Sequence, residues 1–234
     1  MLNVTYIYHS SFLVETDEHL LLFDYYKGKL PVMAKDKPLY IFASHRHEDH
    51  FSPEIFSIAE KNEKARLVLS SDISAKKIPE KLRERCRRIK PGEHFAQGSL
   101  FVRSLRSTDE GVAFVVESAG KGIYHAGDLN DWRWEGEPEA WNRRMREDYQ
   151  RQIDLLAEME LYIHCAFVVL DGRQKQDAGL GMDYFLRKIP GEAVFPMHFW
   201  ERYQVIDRYI KSASRGLPVD RVVRLSFPGQ SFAF

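Results

Sequence analysis

The segment His45-Arg46-His47-Glu48-Asp49-His50 places four metal-ligand side chains, His45, His47, Asp49 and His50, within six residues. It comes just after the apolar run Leu39-Tyr40-Ile41-Phe42-Ala43. Residues two apart on a helix point to nearly opposite sides, so a helix cannot aim His45 and His47 at one ion. A loop leaving the end of a strand can. The pattern therefore predicts a buried strand over Leu39–Ala43 that delivers a ligand loop. Imidazole and carboxylate together suit zinc, manganese or iron.

The rest of the chain reads as strands first and strand–helix alternation later. Val4–Tyr8, Phe12–Glu15 and Leu20–Phe23 form a meander pattern that ends at Asp24. Ser52-Pro53 opens a helix expected to run to about Lys61, with Pro at its first turn. Arg66–Ser70 is a short strand, and Pro79–Arg88 is expected to form a basic helix. Ser99–Leu105, Val112–Glu117 and Gly122–Ala126 are strands separated by Gly-containing turns. Trp141, Met145, Tyr149, Ile153, Leu156 and Met159 recur at helical spacing and predict a long helix over Pro138–Glu160. Strands over Phe167–Leu170, Ala193–Pro196 and Val222–Leu225 alternate with helices over Met182–Lys188 and Tyr203–Ala213. No Pro/Ser/Gly-rich linker interrupts the chain, which is read as one domain over 1–234.

Bulk properties narrow the function. Lys plus Arg equals Asp plus Glu at 34 each, which gives no charge excess for a nucleic-acid or membrane-surface partner. The basic run from Arg83 to Lys90 is read as a solvated face. No apolar run approaches the roughly 20 residues of a membrane span. Two well-separated cysteines cannot build a Cys-x-x-Cys zinc pattern. The start carries no visible export signal, so a cytoplasmic location is expected.

Three separated motifs, in order along the chain, resemble the metallo-β-lactamase superfamily. They are the His45–His50 loop, Asp128 in Tyr124-His125-Ala126-Gly127-Asp128, and His198 in Phe195-Pro196-Met197-His198-Phe199. Tyr8-His9-Ser10-Ser11-Phe12-Leu13-Val14-Glu15 and the strand ending at Asp24 further resemble the branch that contains ascorbate-6-phosphate lactonase and related phosphodiesterases. The resemblance implies an α/β four-layer αβ/βα sandwich with a metal site at one edge of two sheets. It also implies a ligand set. His45 and His47 would hold one ion, Asp49, His50 and His198 a second, and Asp128 would bridge them. One or two divalent ions are expected, zinc in first place with manganese or iron as alternatives. The superfamily supplies another histidine in the loop before the strand matched here by Val112–Glu117. This chain has Arg106-Ser107-Thr108-Asp109-Glu110-Gly111 there, so Asp109 is the candidate substitute ligand, or one ion site is weak.

The implied chemistry is hydrolysis of an ester-like bond, a lactone or phosphodiester of a small anionic metabolite, by a metal-bound hydroxide. Asp49 and Asp128 are the candidate catalytic carboxylates. His9 is read either as a turn histidine or as a donor beside the ligands. Arg173 either binds a substrate anion or pairs with Asp171. Trp132, Trp134, Trp200 and Tyr203 either wall a pocket or pack in the core. His125 and His164 are expected in core or edge positions, and His19 and His94 at the surface. Two other readings stand beside hydrolysis: a mononuclear iron oxygenase of a thiol or persulfide, and a degenerate domain that binds a metal without turnover. A small-molecule substrate is the only partner expected, and self-association is left open.

Overall fold

Long apolar strand runs without strict alternation require sheets covered on both faces. The computed structural model, which describes residues 1–213 and 216–234, shows such sheets. One sheet contains β1 (Asn3–Tyr8), β2 (Ser11–Glu15), β3 (Leu20–Phe23), β4 (Leu39–Ala43), β5 (Arg66–Ser70) and β6 (Cys86–Ile89) in sequential order. The second contains β7 (His94–Gln97), β8 (Leu100–Arg106), β9 (Val112–Ser118), β10 (Lys121–His125), β11 (Ile163–Val169) and β12 (Gly191–Met197), again side by side. A C-terminal strand, β13 (Ser231–Ala233), returns to pair antiparallel with β1.

The sheets face one another across a core of large side chains. Phe12 meets Phe167 at 4.2 Å between ring centroids, and Phe42 meets Phe114 at 5.1 Å. Alternate residues of the first sheet, Leu13, Leu20, Leu22, Leu39 and Ile41, point the other way. They bury Ile55, Phe56 and Ala59 of α1 (Glu54–Glu60) in a second apolar cluster. On the far side of the second sheet lie α2 (Glu139–Glu158), α3 (Leu180–Lys188) and α4 (Gln204–Ser212). Tyr124 of β10 stacks on Phe185 of α3 there, with centroids 5.2 Å apart. The layers run helix, sheet, sheet, helix, the expected four-layer sandwich.

Strand direction decides where the chemistry sits. β3, β4, β5 and β6 run parallel, as do β10, β11 and β12. β1 and β3 are both antiparallel to β2 and so share a direction. The residues just past β1, β3, β4, β10, β11 and β12 are His9, Asp24, His45, Asp128, Asp171 and His198. The loop that enters the antiparallel β9 carries Asp109. Ligands in open parallel sheets gather at the carboxyl ends of strands, and these residues do so.

Some expectations fail. Pro79–Arg88 is not one α-helix: Glu80–Arg85 is a 3-10 helix and Cys86–Ile89 is strand β6. Only Leu82 of the 3-10 helix is buried, too little apolar surface to hold an α-helix face, and the free edge of β5 captures the following residues instead. Val222–Leu225 makes a single bridge, Val194 to Val222, rather than a strand. Val222 and Leu225 bury their side chains without a ladder, and Pro228 follows shortly after. His19 is buried rather than at the surface. Its Nδ1 lies 2.8 Å from Ser118 Oγ, and that hydroxyl also meets Thr16 Oγ1 at 2.9 Å. This polar cluster replaces water, which is how a histidine becomes tolerable inside. No helix among the described residues is long and apolar enough to cross a membrane.

Candidate metal centre

β4 ends at Ala43, and the chain turns at once. The backbone N–H groups of His50 and Phe51 both donate to the carbonyl of His47, which closes the ligand loop into a turn. Ser44 carries the loop's other anchor. Its N–H and Oγ donate to the two oxygens of Asp24 at 2.7 and 2.6 Å. Two glycines allow neighbouring loops to press against Ser44. A Cβ on Gly111 would lie 2.0 Å from the Ser44 carbonyl oxygen, and one on Gly127 would lie 2.7 Å from Ser44 Cβ. Both glycines also hold positive φ, 69° and 53°, where a side chain is strained. The close approach lets Val112 N–H bond to Ser44 O at 2.9 Å and brings Asp109 and Asp128 alongside the histidines.

The side chains converge in two overlapping groups. In the deeper one, His50 Nε2 and His198 Nε2 lie 3.1 and 3.5 Å from Asp128 Oδ1. The same two nitrogens lie 3.9 and 3.6 Å from Asp49 Oδ2, and His9 Nε2 lies 3.4 Å from that oxygen. His9, Asp49, His50 and His198 thus offer atoms all within 4.8 Å of one another. In the shallower group, His45 Nε2 is 3.4 Å from Asp128 Oδ2, and His47 Nδ1 is 3.9 Å from Asp109 Oδ2. His45–His47–Asp49 and His47–Asp109–Asp128 meet the same 4.8 Å limit. His9, His45 and His50 are sealed from solvent, whereas His47 and Asp109 are about half exposed.

The aimed atoms lack hydrogen-bond partners. His9 Nε2, His45 Nε2, His50 Nε2 and Asp128 Oδ1 are all buried and unpaired, which is costly for polar atoms unless something binds them. The opposite ring nitrogens are held. His50 Nδ1 meets Asp24 Oδ2 at 2.7 Å, His198 Nδ1 meets Asp171 Oδ2 at 2.9 Å, and His45 Nδ1 meets Ser44 Oγ at 2.9 Å. This is the arrangement that leaves Nε2 lone pairs free for a cation. The donor set fits a divalent ion.

Without an ion, charges balance inside the cluster. Burial opposes charge on His198, but Asp128, Asp171 and Asp49 outweigh it and hold its pKa up at about 9. His50 is raised in the same way against its burial, by Asp128 and Asp24. Burial raises Asp128 and Asp49, and the surrounding histidines overcome that and hold both well below the usual carboxylate range. Asp171, buried but bonded to His198 and Arg173, sits at about 2. Burial drives His9 the other way, down to about 4. Burial and the nearby Asp128 raise Asp109.

A cavity of about 290 Å³ opens above both groups, lined by His47 and Asp109 and by Asp49, Asp128 and His198. All four tryptophans of the chain line it, with Arg173. Trp132 and Trp134 stack with centroids 5.9 Å apart. The Arg173 guanidinium lies 5.2 Å from the Trp200 ring and 5.8 Å from Trp134, while its Nε and one Nη bind Asp171. Arg173 therefore pairs with Asp171 and also lines the cavity. Tyr203 packs against Phe199 and Tyr6 and does not line the cavity. Arg46 points away and pairs with Glu110, and Glu48 is exposed.

Sequence reasoning did not assign Asp24 and Asp171 as the partners that orient His50 and His198. Each directly follows a strand that ends at the same edge as the ligand loop, which is the signal that could have found them. Four site residues also share a backbone feature not visible in sequence. His9, Asp24, His198 and Trp200 hold positive φ of 54°, 43°, 64° and 52°. Such conformations are uncommon away from glycine and gather where side chains must be aimed.

Two facing sheets with helices outside and a His/Asp cluster at the strand ends define the metallo-β-lactamase class of folds. A sequence model described as the beta-lactamase superfamily domain matches residues 3–135, and the chain belongs to that superfamily. Such membership implies divalent metal binding. No curated protein matched the sequence. Among solved structures the chain is similar to Igni18, a metallo hydrolase from Ignicoccus hospitalis, at 18% identity and TM-score 0.67, covering 100% of this chain and 99% of that one. It is similar to YhfI of Bacillus subtilis, a metallo-beta-lactamase fold protein, at 14% identity and TM-score 0.63, with 100% of both chains covered. It is also similar to CmlA, a diiron beta-hydroxylase from Streptomyces venezuelae, at 11% identity and TM-score 0.54, over 84% of this chain and 44% of that one. At these identities the likeness speaks for the fold.

Proposed function

We propose that the protein is a metal-dependent hydrolase that cleaves an ester-like bond, a lactone or phosphodiester, in a small anionic metabolite carrying a ring or apolar portion. The observation that carries this reading is the set of unpaired, buried Nε2 and carboxylate atoms of His9, His45, His50 and Asp128, converging with His198 beneath an open cavity. His45 and His47 with Asp128, and Asp109 in place of the superfamily's further histidine, would hold one divalent ion. Asp49, His50, His198 and Asp128 would hold the other. Zinc is placed first; manganese and iron stand as alternatives because imidazole and carboxylate suit all three and no thiolate enters the set to force zinc.

Bound there, the ions would polarise the scissile carbonyl or phosphoryl group and lower the pKa of water to near ~7. The chain's own residues do the rest. Asp49, 23% exposed, faces the cavity and orients the attacking water by accepting its hydrogen. Asp128 spans the two groups with its separate oxygens. Arg173 presents its cavity-facing edge to a carboxylate or phosphate of the substrate. Trp132, Trp134 and Trp200 supply flat apolar walls that orient a ring and keep bulk water off the reacting bond.

Hydrolysis assays of the zinc- or manganese-loaded protein on lactones and phosphodiesters test the reading, with His47→Ala as control. Turnover is expected for wild type and a large loss of both activity and metal content for His47→Ala. Equal activity in a metal-free preparation contradicts it. A carboxylate at Asp109 also suits iron, and the diiron CmlA shares the fold, so oxygen consumption by the ferrous protein is the second reading. Oxygen uptake with a thiol and no hydrolysis would favour it.

A further inference from the structure

The geometry points to His9 as a direct ligand of the deeper ion, beside Asp49, His50 and His198. The inference rests on the metal-centre reading above and adds a residue to it.

Nitrogen and oxygen ligands about 2.0–2.2 Å from an ion lie roughly 3–3.7 Å from their neighbours in tetrahedral or five-coordinate arrangements. His9 Nε2 lies 3.4 Å from Asp49 Oδ2. That matches the separations of His198 Nε2 from Asp49 Oδ2 and from Asp128 Oδ1, 3.6 and 3.5 Å. It is longer than a charge-assisted hydrogen bond, normally about 2.7–2.9 Å. The two atoms sit as co-ligands rather than as a bonded pair. Neither ring nitrogen of His9 has a hydrogen-bond partner, although the residue is wholly buried. A purely structural histidine in such a place would bond at least one nitrogen.

The backbone is arranged for the aim. His9 holds φ of 54°, and its N–H donates to Tyr6 Oη at 3.1 Å. The ring is wedged between His198 and Trp200, each with its centroid 4.4 Å away. With His9 added, the deep group holds His9, Asp49, His50 and His198 within 4.8 Å of one another, and Asp128 Oδ1 lies 3.1 and 3.5 Å from His50 and His198. Asp49 and His198 of this group line the cavity beneath the tryptophans, as do half-exposed His47 and Asp109 of the shallow one.

X-ray absorption of wild-type protein loaded with one equivalent of Co(II) or Zn(II) tests this without a substitution. Multiple scattering from imidazole should count three histidines around the first ion; two would overturn the assignment while leaving the metal centre standing. Failure of the wild type to bind any ion would overturn both. As a second readout, His9→Asn keeps a residue that tolerates positive φ. It should weaken the first equivalent of Co(II) by about 100-fold or more and change its visible spectrum, while the second equivalent binds as before. An unchanged affinity and spectrum in the variant would overturn the proposal.

Discussion

Nδ1 of His50 lies 2.7 Å from Oδ2 of Asp24, and both side chains are sealed from solvent. Asp24 is not in the ligand clusters, yet it accepts from His50 and twice from Ser44. It fixes the imidazole's orientation and ties the ligand loop to the end of β3.

Asp24→Asn preserves the size and the positive φ but removes the charge. Metal affinity should fall by roughly 10–100-fold, as expected when a partner that orients a ligand is lost. The ion-free protein should lose about 1–3 kcal/mol, since one buried donor would be left unmatched. Competition with a chelator and urea unfolding measure the two effects. An unaltered affinity would show that Ser44 and the loop alone orient His50.

Acidity should compete with the ion. His198 has a pKa of about 9 without metal, and His50 is also raised, so both carry protons near pH ~7. An ion requires both as neutral imidazoles, so binding expels about one to two protons. Apparent affinity should therefore fall as pH drops below about 9, by roughly tenfold per pH unit for each proton released. Calorimetry in two buffers of different ionisation enthalpy counts the protons. Binding with no proton release would contradict the charge balance described.

Arg173→Lys separates substrate binding from ion holding. Lysine keeps a cation near Asp171 but loses the planar fork. For an anionic substrate, KM should rise by about tenfold or more with metal content unchanged and kcat altered only a few-fold. A fall in kcat together with metal loss would mean that Arg173 acts through Asp171 and His198 instead.

His19→Ala probes the core away from the site. It strips one of the two partners of the Ser118 hydroxyl, leaving Thr16, and opens a void beside Tyr40. Stability should fall by about 1–3 kcal/mol in chemical unfolding, with metal affinity unchanged. A change in metal content would tie this cluster to the site.

Much of the architecture was legible because apolar runs and ligand spacing are local signals. Leu39–Ala43 is the strand expected, and it delivers His45–His50 at its carboxyl end. Asp128 and His198 were placed beside that loop by resemblance, and the structure brings all three together. The remainder depended on tertiary pairing. Cys86–Ile89 becomes a strand only because β5 offers an edge, and β13 exists only because the C-terminus meets β1. His19 looks solvated until Ser118 arrives from 99 residues away. Asp24 and Asp171 carry no motif of their own; their roles appear only when strand direction aligns them with His50 and His198.

Elemental analysis of the purified protein and of Asp128→Ala, expressed per chain, tests the central claim most directly. The account predicts at least one firmly held divalent ion in wild type, up to about two when metal is supplied, and loss of most of that complement in Asp128→Ala. A wild type that holds no divalent metal, or a variant that keeps the full complement, would contradict it.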